Sequence, residues 1–204
     1  MKKPLLLLLL IPAVAAVAVP ARLLLHVDTY ITDVAASKIE WHAEKVTGKH
    51  NGTVKLASGE VNNNHGQLGG KFVVDMRSIA VTDLPEDRRG KLEGHLKSED
   101  FFSVEKFPTS TFEIVSIAPR AGITADEPNF NVTGKLTIKG ITNDITFPAL
   151  IKFDGTKMTT KADVKVDRSK YDIRYGSKTF FPDIGDKAIA DEFLLKVDMV
   201  ANRK

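Results

Sequence analysis

The stretch FLLKVDM, residues 193–199, sets Phe193, Leu195, Val197 and Met199 on one side of an extended chain, with Lys196 and Asp198 on the other. Side chains along a strand point alternately to its two faces, so this spacing predicts a strand with one buried and one wetted face. The same period of two recurs upstream. Ile39, Trp41 and Ala43 alternate with Lys38, Glu40, His42 and Glu44, and Val54 and Leu56 with Thr53 and Lys55. Phe72, Val74 and Met76 follow Gly69 and Gly70. Further strands are expected over 111–117, 130–138, 144–153 and 158–166, with Ile145, Phe147, Ala149 and Ile151 sharing a face. Pro148 has no N–H to give a ladder, which favours an edge, a bulge or a strand margin at that point. Composition places turns at 48–52 and at 62–66, Asn-Asn-Asn-His-Gly.

Eight mostly antiparallel strands in one domain define an all-β fold, a closed barrel or a sandwich. Closure removes the exposed edges that invite aggregation. An eight-stranded barrel is either filled by side chains or holds one small ligand, and periodicity does not choose between them.

One connection breaks the alternation. Between Met76 and Thr111, Leu92 and Leu96 stand four apart and would share a helix face. Gly90 and Gly94 each weaken a helix by about 1 kcal/mol, so it forms only if it packs on something. Phe101, Phe102 and Phe107 follow, a heavy aromatic load for a linker. Long connections tend to be structured or functional; these side chains either plug one end of the barrel or also line a ligand entrance. A second aperiodic segment, 171–186, carries Tyr175, Phe180, Phe181, Pro182 and Gly185 and reads as a loop folded over a barrel mouth.

The chain begins with Lys2 and Lys3, an apolar run over 5–19, and small residues at Ala13, Ala15, Ala16, Ala18 and Ala21. Positive, apolar, then small is the order of a secretory signal, expected over 1–21 with cleavage after Ala18 or Ala21. Retention as an anchor is the alternative, since Leu23, Leu24 and Leu25 extend the apolar run past Arg22. The remainder, 22–204, has the size of one domain with a substantial core. No cysteine occurs, which excludes disulfides, thiol chemistry and a lipid anchor on an N-terminal cysteine. Removing Lys2 and Lys3 from the formal charge of +3 leaves +1. A near-neutral domain with interspersed charges argues against a nucleic-acid binder, which should show a basic patch or stripe, although composition does not locate charges in space and leaves a local basic rim open. The expected location is the periplasm or outside the cell.

Catalytic signatures are missing. His26, His42, His50, His65 and His95 form no helical metal-binding pair. Ser58 precedes Gly59 without the partner glycine of a nucleophile elbow. GKLTIKG, 134–140, lacks the spacing of a phosphate-binding loop. Asp167 beside Arg168 reads as a structural ion pair ahead of a catalytic one. No metal and no cofactor is expected. An apolar barrel cavity binds long greasy ligands without a compact motif, each buried methylene contributing about 0.8 kcal/mol.

The segments resemble, in order, those of the YceI-like family of exported polyisoprenoid-binding proteins, from about Tyr30 to the C-terminus. They are Trp41 with GKHNG (48–52), KFVVDMRSI (71–79), KLEGHLKSEDFF (91–102), VEKFP (104–108), TGKLTIKGIT (133–142) and VDRSKYDIRY (166–175). The resemblance implies an extended, lipocalin-like, eight-stranded antiparallel barrel around an apolar channel. It also implies a non-catalytic carrier of long isoprenoid chains, quinone or polyprenyl in type. On that basis the expected lining is Trp41, Phe72, Val74, Met76, Phe112, Leu136, Phe147, Phe193 and Leu195 from the strands. Leu92, His95, Leu96, Phe101 and Phe102 close one side, and Arg168 and Tyr175 stand at the channel mouth. The segment 175–191 departs from the shortest family members and would narrow the mouth. Competing readings are a filled structural or interaction barrel, and a lipid-modifying enzyme in which His95, Asp167 and Arg168 converge. The implied partners are the lipid and, transiently, a membrane surface; association of two copies as a homodimer stays open.

Overall fold

The computed structural model describes residues 27–64, 67–121 and 124–204. The expected signal over 1–21, His26 and His65 lie outside the described residues. Among the described residues nine strands follow one another: β1 (Val27–Thr32), β2 (Lys38–Lys45), β3 (Gly48–Asn64), β4 (Gln67–Val81), β5 (Thr109–Pro119), β6 (Phe130–Ile138), β7 (Ile141–Asp154), β8 (Lys157–Asp167) and β9 (Glu192–Arg203). One helix, α1 (Glu86–Lys97), lies between β4 and β5.

Every neighbouring pair from β2 through β9 is antiparallel, and β9 returns to β2, so eight staves close a ring. The ninth strand adds no stave. β1 pairs with the ends of β3 and β9 at Tyr30↔Val61 and Tyr30↔Arg203, whereas β2 pairs with their other halves at Trp41↔Gly52 and Trp41↔Leu195. β1 and β2 are two lengths of one stave, broken at 33–37, where Asp33 Oδ1 accepts the N–H groups of Ala35 and Ala36. The expected eight-stranded barrel with a short helical connection is the observed fold.

Three local expectations need correction. The GKHNG stretch is not a turn: β3 starts at Gly48, and Val46–Thr47 makes the two-residue connection. Asn62 and Asn63 are also strand, paired to Gly69 and Leu68. Turn-forming residues were outvoted in both places by a long hairpin whose cross-strand bonds continue through them. Register shifts at Thr53/Lys55 and Leu56/Ser58 bend it. β1 was not foreseen, because its alternation is short and sits against the apolar leader.

Pro148 lies where the β7–β8 ladder ends, one residue before the Ala149↔Ala162 pair. Lacking an N–H, it lets the first half of β7 part from β8. A 3₁₀ turn, Arg168–Tyr171, covers the split: Asn143 donates to the Lys170 carbonyl and Lys139 Nζ to the Asp172 carbonyl. The barrel end away from this turn is filled by Tyr30, Val61, Val132, Ala149, Met158 and Ala201.

Candidate functional site

At the end of the barrel beneath α1 the side chains do not meet. They leave a cavity of about 350 Å³, near the lower end of the ~300–1,000 Å³ usual for small-molecule sites. Ile39, Trp41, Val54, Val74, Met76, Leu136, Phe193 and Leu195 line it from the staves. Leu92, His95, Leu96, Phe101 and Phe102 cover it from α1 and the turn beyond, and Tyr175, Ile189 and Ala190 from the loop after β8. Glu44, Lys45 and His50 stand at its rim. His50 Nδ1 lies 2.9 Å from Asp83 Oδ2.

The helix owes its place to this packing. None of its side chains is fully buried, so its amphipathicity is weak. It opens with Glu86 and Asp87 and closes with His95 and Lys97, charges that suit the helix dipole. Glu93 accepts the Val81 N–H at 2.8 Å and so ties the helix to the end of β4. Leu92 and Leu96, four apart as expected, both reach the cavity.

Large rings fit inside the narrow barrel because glycines face them. A Cβ built on Gly52 would stand 2.6 Å from the Trp41 indole, one on Gly59 2.6 Å from the Phe72 ring, and one on Gly134 2.4 Å from the Phe112 ring. Each ring fills the space that a side chain on the neighbouring stave would take.

Arg168 is 2% exposed and borders the cavity. Its Nε donates to the Ala190 carbonyl at 3.0 Å. One terminal nitrogen donates to the Ile173 and Tyr175 carbonyls at 3.0 and 2.8 Å, and the other to Ile189 at 3.1 Å. Its carboxylate partner is Asp191, at 3.3 Å, and its guanidinium carbon lies 5.5 Å from the centre of the Phe101 ring. Asp167, expected as that partner, instead accepts from the Ser169 N–H and hydroxyl at 3.0 and 2.6 Å. Asp167 is the N-cap of the 3₁₀ turn that begins at Arg168, so its carboxylate is spent on the turn's own N–H and hydroxyl. Burial lowers the Arg168 pKa, opposed by Asp191 and Asp167. Burial pushes the Asp191 carboxyl up, but hydrogen bonds from Ser177 and Thr179 and the Arg168 charge hold it below the usual range.

Three polar atoms on this wall, Trp41 Nε1, His95 Nε2 and Ser110 Oγ, find no hydrogen-bond partner among the described residues. An unsatisfied buried polar group costs about 1–3 kcal/mol, so each is a feature to be explained. The His95 ring meets Tyr175 and Phe101 edge-on at 4.4 and 5.2 Å.

Of the sixteen residues expected to bind ligand, all but Phe72, Phe112 and Phe147 border this cavity. Those three pack together one layer further along the barrel, with ring centres 6.4 Å apart for Phe72–Phe112 and 5.5 Å for Phe112–Phe147. Ile39 and Val54 were legible as inward-facing but not singled out. Ser110 carries no signal in the sequence, because a lone serine in a threonine- and serine-rich strand looks wetted. His95 and Arg168 both approach Phe101, but Asp167 does not join them. Among the described residues no group of three or more His, Asp or Glu could hold a metal ion.

Comparison with known proteins follows the same outline. The family model described as YceI-like domain matches residues 30–201. The crystal structure of Burkholderia cenocepacia BcnA is similar, with a TM-score of 0.66 and 24% identity over 84% of this chain and 99% of that one. A polyisoprenoid binding domain from Saccharophagus degradans, implicated in plant cell wall breakdown, gives a TM-score of 0.59. It is 13% identical over 86% of this chain and 98% of that one. A UPF0312 protein of Pseudomonas putida is 32% identical over 85 residues, 42% of this chain and 40% of that protein. The chain thus aligns with about two fifths of the length of that curated relative. The likeness to the two solved structures is one of fold and covers most of the barrel.

Proposed function

The chain belongs to the YceI-like domain family, and on that premise we propose that it is a non-catalytic carrier that holds a long-chain isoprenoid lipid, quinone or polyprenyl in type, inside its barrel. Members of the family are periplasmic or secreted, and the leader over 1–21 suits the same compartment. The observation that carries the reading is the cavity under α1. It is open at its rim and almost wholly apolar within, and its one buried cation is already matched by carbonyls and a carboxylate. Such a site gains affinity from buried methylenes, about 0.8 kcal/mol each, and asks for no reactive group.

The cavity alone takes the first part of a long chain. The remainder would run along the layer of Phe72, Phe112 and Phe147, whose rings lean on or beside small residues. Loading such a cargo requires a transient meeting with a membrane. Val46, Tyr175 and Phe181, all exposed at this end of the barrel, are the surface that would make it; two copies meeting there would form the homodimer. The test is to purify the full chain without harsh detergent, extract it with organic solvent and identify the extract by mass spectrometry. A polyisoprenoid at near-stoichiometric yield is the expected result. A protein that emerges lipid-free and cannot be loaded with either a long-chain quinone or a polyprenol would overturn the reading.

A further inference from the structure

We propose that this cavity selects a lipid whose head bears an uncharged acceptor oxygen, a carbonyl or a hydroxyl, and rejects the phosphate-headed form of the same chain. The inference rests on the carrier reading and specifies what that reading leaves open.

Two side chains supply it. Trp41 is 8% exposed and Ser110 6% exposed; both border the cavity, and neither Nε1 nor Oγ has a partner among the described residues. They belong to different staves, β2 and β5, so no single local turn explains both. An indole N–H can only donate, and a serine hydroxyl can donate or accept. What meets Trp41 must therefore present an acceptor. His95, whose Nε2 also has no partner among the described residues, borders the same cavity from α1.

The charge balance excludes the phosphate. Four of the five N–H groups of the Arg168 guanidinium are given to carbonyls, and its charge is already paired with the Asp191 carboxylate at 3.3 Å. Its face lies toward Phe101. Lys45 is exposed at the rim, with Glu44 beside it. A phosphate brought to the indole would be a buried charge without a counter-ion, which is far costlier than a neutral oxygen in the same place.

The experiment titrates the delipidated full chain with four probes of matched tail class: a long-chain quinone, a polyprenol, the corresponding polyprenyl monophosphate, and squalene, which has no oxygen. Affinities are read by native mass spectrometry. The quinone and the polyprenol are expected to bind at least tenfold more tightly than the phosphate and squalene. Ser110→Ala and Trp41→Phe should each cost the oxygen-headed lipids fivefold or more while leaving squalene within twofold. Ser110→Ala removes only a hydroxyl and so carries the test even if Trp41→Phe loosens the packing on Gly52. A phosphate that binds as well as the polyprenol, or squalene that does, overturns the head-group inference and leaves the carrier intact. Failure of all four probes overturns the carrier reading and this inference with it.

Discussion

The ring of Phe112 occupies the place of a side chain on Gly134, coming within 2.4 Å of where its Cβ would stand. Phe112 can therefore sit inside an eight-stave barrel without crossing its axis. Gly134→Ala should push the ring off the wall, toward Phe147 and into the lumen, and also press on the Glu113 carbonyl at 2.5 Å. Overpacking of this kind costs about 1–3 kcal/mol. The expected outcome is a lower urea midpoint together with a shift of the bound lipids toward shorter chains. Gly94→Ala is the control. It lies in α1 where a Cβ meets nothing, and it should raise stability by about 1 kcal/mol. Equal effects from the two substitutions would remove the Phe112 argument.

Arg168 closes the loop after β8 by drawing the carbonyls of Ile173, Tyr175, Ile189 and Ala190 onto one guanidinium. Lysine has no planar fork to replace it. Arg168→Lys keeps the charge beside Asp191 but leaves one or more of those carbonyls without a donor, each costing about 1–3 kcal/mol. Limited proteolysis is then expected to cut between 173 and 190 faster than in the parent protein.

Asp191 gives this clasp an acid limit. Its folded pKa is held below the unfolded value of about 3.9. The stability it contributes is therefore present above pH ~4 and is lost as pH falls through the folded pKa. Asp191→Asn should lower stability at neutral pH and flatten the decline below pH 4 in thermal melts. An unchanged acid limb would show that other carboxylates carry it.

Tyr171 sets the alkaline limit. It is fully buried, its hydroxyl has no partner among the described residues, and burial pushes its phenol up to about 12. A folded pKa above the unfolded ~10 means that its contribution is complete below pH 10 and lost as pH rises toward 12. Tyr171→Phe should remove that decline. Because the hydroxyl is unsatisfied, the change should cost little or even stabilise at pH 7, as read by chemical denaturation.

How much of this was legible in the sequence follows from how local each signal is. Alternation around Trp41, Phe72 and Phe193 is a property of neighbours, so strand identity and inward faces could be read directly. The rupture of the first stave at 33–37 could not, since it depends on β3 and β9 having room for two partners at once. Arg168 was visible as an oddity at a strand end, but its partner lies 23 residues on at Asp191, across a loop with no periodic pattern. Ser110 was invisible because only burial distinguishes it from the hydroxyl residues beside it.

The lid offers the sharpest functional contrast. Phe102 and Phe180 are both half-buried aromatics on irregular segments, and composition does not separate them. Phe102 borders the cavity and meets Phe193 edge-on at 6.5 Å, whereas Phe180 lies 5.0 Å beneath the Arg174 guanidinium and away from the cavity. A carboxylate at position 102 would face the lipid with no cation free to match it, while one at position 180 would sit beside Arg174. Phe102→Asp should therefore abolish lipid co-purification, and Phe180→Asp should leave it within about twofold, since pairing with a nearby arginine at an exposed site shifts energies by only ~0–1 kcal/mol. Mass spectrometry of solvent extracts from the two variants decides it: equal retention would mean that α1 and the turn after it are not the lid.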